Sequence, residues 1–252
     1  MRNSPWCWFV IISCCQILIS TALWGGETPS ARAKPLNPTA TEIRDFEVRV
    51  DNRPAGTHRL TIKSAGDEHQ VAFHTDVRID FIVYAYVFKF RGTEAWRDGR
   101  IEQADIRSED GGKKKSFTLR TEGTLQQVSF NGKLLPQSKS GVMSTAYWQL
   151  PSKELRTSPL LIMDVDTGQA VDASLKLVGP ATVSLKDRSL TCQHYKIDGP
   201  SPAELWFDEQ HRLVRQKSSE EGHSLELRLL QIRTAKDDLL IPEAKKQAAN
   251  RN

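Results

Sequence analysis

Over residues 69–90 apolar side chains recur at every second position, and this period of two constrains the chain more than any other feature. Val71, Phe73, Val77, Ile79 and Phe81 fall on one face of an extended chain, with His74, Asp76, Arg78 and Asp80 on the other, as in a half-buried strand. From Ile82 the phase slips by one. Ile82, Tyr84, Tyr86, Phe88 and Phe90 then share a face, and Val83, Ala85 and Val87 are apolar on the other. The expectation is one long strand with a β-bulge or sharp bend near Asp80 to Val83, buried on both faces beyond it. Aromatic and β-branched residues dominate the run, which favours strand over helix.

Turn chemistry punctuates the rest of the chain. Asp98-Gly99, Asp110-Gly111-Gly112 and Asn131-Gly132 tolerate the positive φ that tight hairpins demand, and Asp51 to Gly56 and Ser64 to Asp67 also read as turns. Between them lie short alternating runs such as Phe46, Val48 and Val50, then Leu60 and Ile62, then Ile101 to Ser108. The same rhythm resumes after residue 159, at Leu160 to Val165, Ala173 to Val178, Thr182 to Leu185, Leu190 to Ile197, Ala203 to Phe207, Arg212 to Lys217 and His223 to Leu230. The expected fold is all-β: an antiparallel meander forming a curved sheet, an open barrel or a two-lobed β structure. A short helical or irregular connection is expected near 138–158, with a helix at Ser152 to Arg156. Glu204-Leu-Trp206-Phe-Asp208 echoes Glu94-Ala-Trp96-Arg-Asp98, so the halves 45–135 and 160–233 are either related or share common turn chemistry.

At the N-terminus Arg2 precedes an apolar run from Trp6 to Ile19, shorter than the roughly 20 apolar residues of a spanning helix. It reads as a secretory signal peptide, residues 1–33, with an alternative cut after Ala22. Ile11-Ile12-Ser13-Cys14 resembles a lipoprotein cleavage box and offers acylation of Cys14 as a less favoured route. The expected location is therefore periplasmic or extracellular. A spacer at 34–44, a single β domain at 45–233 and a fraying tail at 234–252 complete the organisation. Cys7, Cys14 and Cys15 lie in the signal segment, so a chain cut after Ala33 keeps Cys192 alone and forms no internal disulfide. Cys192 itself reads as a small buried hydrophobe.

The formal net charge of +4 is mild, and Lys113-Lys114-Lys115 sits at a hairpin tip without interleaved aromatics, so no nucleic-acid partner is expected. Asp164 to Gly168 lacks the further acidic ligands of a calcium loop and reads as a plain turn. His69 and His74 are five apart and fall on opposite strand faces, a poor metal pair. No nucleophile elbow, Walker loop, His-Glu-x-x-His or dinucleotide fingerprint is present. Glu94 and Glu204 fit a solvated or cross-strand-paired role beside their tryptophans better than a glycosidase pair.

Several spaced motifs together resemble a known family. They are Phe46 through Gly56 to Leu60, Tyr84-x-Tyr86 followed by Glu94-x-Trp96-x-x-Gly99, Ala146-Tyr147-Trp148, Leu160-Leu161 with Thr167-Gly168, and Leu205-Trp206-x-Asp208. In this order they are similar to the bacterial exported family catalogued as domain of unknown function 6134, over about Phe46 to Leu230. That family commonly has Asn where this chain has Gln149, and an Asp-x-x-Gly-Arg turn where this chain reads Asp208 to Arg212 with His211. The resemblance implies export and an all-β fold and supplies no catalytic residues. In style the chain also looks similar to periplasmic lipoprotein carriers, whose half-open barrel holds acyl chains.

The functional expectation is a non-enzymatic protein that needs no metal or cofactor and binds an apolar small molecule or lipid within a curved sheet. Tyr84, Tyr86, Phe88, Trp96, Trp148 and Trp206 are the candidate ligand-binding residues. The alternative is a cell-envelope scaffold or interaction domain that uses edge strands, or the Tyr147-Trp148 connection as exposed anchors, for a protein partner.

Overall fold

The computed structural model describes residues 36–80, 85–139, 143–156, 159–165, 167–220 and 222–235. The expected signal segment with Cys14, Tyr84 and the tail from 236 lie outside the described residues. The chain opens with β1 (Ala40–Val50), which starts inside the expected spacer, and continues through β2 (Arg53–Ala65), β3 (Glu68–Asp80), β4 (Ala85–Arg97), β5 (Arg100–Asp110), β6 (Lys113–Glu122) and β7 (Leu125–Phe130). Each pairs antiparallel with the next. Both central residues have positive φ in the turns Asp51-Asn52, Asp98-Gly99, Gly111-Gly112 and Asn131-Gly132, as primed hairpin turns require.

The central apolar run is two strands rather than one bulged strand. Asp80 stands opposite Ala85, Ile79 opposite Tyr86 and Val77 opposite Phe88, so the chain reverses between β3 and β4. Residues opposite one another share a face. Odd positions of β3 therefore stand beside even positions of β4, which is the one-residue slip that the sequence pattern carries.

After β7 come the short β8 (Lys133–Leu134), β9 (Ser138–Lys139) and β10 (Met143–Ser144), and then a 3-10 turn at Lys153–Leu155 where a helix is expected. The second half contains β11 (Leu160–Asp164), β12 (Gln169–Ser184), β13 (Ser189–Asp198), β14 (Ala203–Asp208), β15 (Leu213–Glu220) and β16 (His223–Ala235). β12 merges two expected strands, with a register shift between Leu177 and Gly179. The last strand returns to the first: β16 pairs with β1 from Thr41 opposite Ala235 to Val50 opposite Leu225. Both halves thus belong to one 16-stranded sheet, open between β10 and β8, and the two-lobed alternative does not hold.

Apolar side chains fill the inner side of this sheet. Phe46, Leu60, Val71, Ile101, Phe117 and Leu119 form one fully buried cluster, while Leu160, Leu205, Phe207 and Leu213 anchor a second. Across the opening the β11–β12 turn packs on β7 by side-chain contact. A Cβ on Gly168 would lie 3.0 Å from Leu135 Cδ1 and 3.2 Å from Phe130 Cβ.

Two substitutions test this backbone. Gly56 on β2 is crossed so closely by β3 that an added Cβ would lie 2.1 Å from the Asp76 carbonyl oxygen. Gly56→Ala is expected to lower unfolding free energy by about 2–3 kcal/mol in urea titrations, as overpacking against an unyielding backbone does. His211, exposed in the β14–β15 turn, holds φ 61. His211→Gly removes that strain and is expected to raise stability by about 0.5–1 kcal/mol.

Candidate functional site

Alternation along β1 places Arg44 on the same side as Phe46 and Val48, and Arg44 is only 3% exposed. A guanidinium there needs partners, because an unpaired buried charge is costly. Its Nε donates to Glu42 Oε1 at 2.6 Å and its Nη1 to the backbone carbonyl of Trp148. Glu42 Oε2 in turn meets Arg212 Nη1 at 3.1 Å, and Arg212 Nε donates to Asp208 Oδ2 at 2.8 Å. Asp208 Oδ1 accepts the backbone N–H groups of Gln210 and Arg212, completing the network. Burial lowers the Arg44 pKa, opposed by Glu42.

This network fixes the segment between β10 and the 3-10 turn. The Leu150 N–H donates to the His211 carbonyl at 2.9 Å, Gln149 bridges to Arg212, and Tyr147 adopts φ 45. The segment lies against the β2–β3 and β4–β5 turns, enclosing a cleft of about 260 Å³. Its walls include His69, Trp96, Tyr147 and Trp148, with Asp67 and Asp98 on the two turns. The Trp96 and Trp148 rings meet edge to face with centroids 5.8 Å apart, and the His69 ring lies 5.3 Å from Trp148. His69 Nδ1 shares a 2.9 Å hydrogen bond with Ser64 Oγ, and burial lowers its pKa against the pull of Asp67, which favours the neutral ring.

Behind the aromatic wall lies Glu94, expected from the sequence as solvated or cross-strand-paired; it is 1% exposed, so the solvated alternative does not hold. Its position on β4 matches the side of Phe88, Phe90 and Trp96, so the alternation itself places a carboxylate on the apolar face. Glu94 Oε2 accepts the Trp96 indole N–H at 2.9 Å. Ser144, which lines the cleft, stands close enough to favour the ionised carboxylate, yet neither Glu94 Oε1 nor Ser144 Oγ closes a hydrogen bond. Burial dominates and pushes the Glu94 pKa up to about 7. Glu204 differs: it is half exposed and its Oε2 lies 3.0 Å from His194 Nε2.

Of the expected ligand-binding residues, Trp96 and Trp148 meet in this cleft. Tyr84 lies outside the described residues. Tyr86 is half-buried and donates from its hydroxyl to Asp110 Oδ1 at 2.7 Å, and Phe88 is half-buried opposite Val77. Trp206 is elsewhere on the sheet, stacked on His194 at 4.3 Å with the Arg215 guanidinium 4.8 Å from its ring centre. Tyr147 and Trp148, expected as exposed anchors, are only 4% and 6% exposed. Sequence reasoning missed Arg44 and Ser144. Arg44 carried a signal, a charge in phase with Phe46 and Val48, whereas Ser144 lies in a stretch without a period. Burial pushes the Cys192 thiol up to about 11, keeping it protonated and unreactive. Among the described residues no group of three His, Cys, Asp or Glu side chains is placed to hold a metal.

The model of a family described as "Domain of unknown function (DUF6134)" matches residues 46–230. No curated protein matches the chain. Among solved structures the chain is similar to a beta-barrel-like protein of domain of unknown function DUF1849 from Brucella abortus. The likeness has a TM-score of 0.57 and 11% identity, covering 79% of this chain and 99% of that one, and it shows a shared fold.

The buried carboxyl has a measurable signature. Unfolded Glu94 loses its proton near 4.5 and folded Glu94 near 7, so its contribution to stability is full below pH 4.5 and is lost as pH rises through 7. The loss amounts to about 3 kcal/mol. His58, buried against Phe46 with its pKa pushed down to about 4, acts in the opposite sense: its contribution is present above 6.5 and lost as pH falls. The difference between variants isolates Glu94. Relative to the natural chain, Glu94→Gln is expected to be near neutral at pH 4.5 and about 3 kcal/mol more stable at pH 8 by urea unfolding. A difference that does not change with pH would contradict the buried, elevated carboxyl.

Proposed function

The chain belongs to the DUF6134 family, a domain of unknown function, and we propose that it is an exported, non-enzymatic protein that holds a compact ligand in the cleft walled by Trp96 and Trp148. The observation that carries this reading is the combination of an aromatic wall with buried polar atoms, Glu94 Oε1 and Ser144 Oγ, that lack partners. Natural folds satisfy buried polar groups, and a donor from a bound ligand is one partner that this pair beside the cleft can take. Residues that carry the family resemblance gather here: Glu94, Trp96, Gly99, Tyr147 and Trp148 line or back the cleft, and Asp208 belongs to the network beneath it.

A volume of about 260 Å³ suits a small molecule or a single head group, just below the roughly 300–1,000 Å³ of drug-sized pockets. A long acyl chain fits less well, because Phe46, Leu60 and Phe117 already fill the sheet interior. The version of the scaffold reading that uses Tyr147 and Trp148 as exposed anchors loses its support through their burial. Export rests on Arg2 and the apolar run from Trp6 to Ile19.

Native mass spectrometry of the protein purified from its own host is the test. An added mass that disappears on denaturation is expected, and it should be absent from Ser152→Trp, which crowds the cleft mouth from an exposed position. A bare natural chain, or an added mass unaffected by Ser152→Trp, would count against this site.

A further inference from the structure

From the chemistry of the lining we infer that the cleft selects an organic ammonium ion bearing at least one N–H, an aryl- or alkylamine in its protonated form. This rests on the reading of the cleft as a ligand site. Trp96, Tyr147 and Trp148 line the walls, and aromatic rings attract cations through their quadrupole. Asp67 and Asp98 stand at the mouth, and among the described residues no lysine or arginine lines the cleft. Two nearby arginines are engaged elsewhere: Arg44 with Glu42 and the Trp148 carbonyl, Arg156 with the Pro151 carbonyl and the Tyr195 hydroxyl. An anion entering here would face Asp67 and Asp98 with Glu94 behind them.

The floor chooses among cations. Ser144 is 1% exposed, lines the cleft and leaves its Oγ without a partner, and Glu94 Oε1 behind it is also unpartnered. A ligand N–H donating to Ser144 Oγ gives that buried oxygen a partner, and the serine hydroxyl stays directed at Glu94. A neutral hydrocarbon leaves both unmet, which is penalised in a buried site. A quaternary ammonium offers the charge but no donor, so it gains the aromatic contact alone.

Four benzyl or benzoyl probes separate these possibilities: benzylammonium, benzyltrimethylammonium, benzyl alcohol and benzoate, titrated at pH 8 with tryptophan fluorescence and calorimetry as readouts. Benzylammonium is expected to bind about tenfold or more tighter than benzyl alcohol, benzyltrimethylammonium to fall between them, and benzoate not to bind. Ser144→Ala should reduce benzylammonium affinity about tenfold with little change for benzyltrimethylammonium. Asp98→Asn, at an exposed turn, should weaken both cations by a few fold and leave benzyl alcohol unchanged. Equal binding of benzyl alcohol and benzylammonium, or any preference for benzoate, overturns the cation selectivity while leaving the cleft as a ligand site. No binding of any probe also overturns it, and the native mass of the purified protein then decides separately whether the cleft holds another ligand.

Discussion

A buried arginine holding a backbone carbonyl is the contact on which the described architecture turns. Arg44 sits on the apolar face of β1 and spends one donor on the carbonyl of Trp148, more than a hundred residues away in sequence. A buried ion pair is weak evidence for net stability, since desolvation offsets most of the Coulombic gain. Removing Arg44 leaves Glu42 with Arg212 alone and the Trp148 carbonyl without the arginine donor. The Glu42–Arg44–Arg212–Asp208 network is therefore better understood as a device that fixes where one segment lies than as a source of stability. The segment it fixes is the one that encloses the cleft.

The sheet supplies the rest of the site through topology. Pairing of β16 with β1 brings Asp208 and Arg212, near the end of the chain, beside Glu42 and Arg44, near its start. Asp67 and Asp98 lie on adjacent hairpin turns because β3 is paired with both β2 and β4, and the Asp98 N–H donates to the Asp67 carbonyl at 3.2 Å. The crossing segment then lies over these turns, with Leu155 against Gly99, where a Cβ would lie 2.6 Å from Leu155 Cδ1. Rigid hairpins thus position the acidic rim, and the buried network positions the aromatic wall.

What could be read in the sequence follows from which interactions are local. Primed turns at Asp98-Gly99, Gly111-Gly112 and Asn131-Gly132 announce themselves because positive φ selects particular residues at adjacent positions. The hairpin between β3 and β4 was disguised, since an antiparallel partner and a bulge both produce a one-residue slip in the apolar phase. The pairing of β1 with β16 leaves no local signal at all. Trp96 and Trp148 could be identified as candidates by residue type, but their meeting depends on Arg44 and on a segment without periodicity. Glu94 and Arg44 were readable in principle, as charges in phase with apolar neighbours. Such violations of pattern are where functional or strained sites are expected.

Hydrogen exchange on the natural chain and on Arg44→Met tests most directly whether this anchor builds the cleft. Methionine keeps the volume apolar and removes the donor to Trp148. The predicted result is exchange at the Leu150 amide, which donates to the His211 carbonyl, that is faster by at least about tenfold, with the amides of β3, β4 and β5 as protected as before. Unchanged protection at Leu150, or loss of protection across the whole sheet at once, would contradict the claim that Arg44 holds this segment and thereby forms the site.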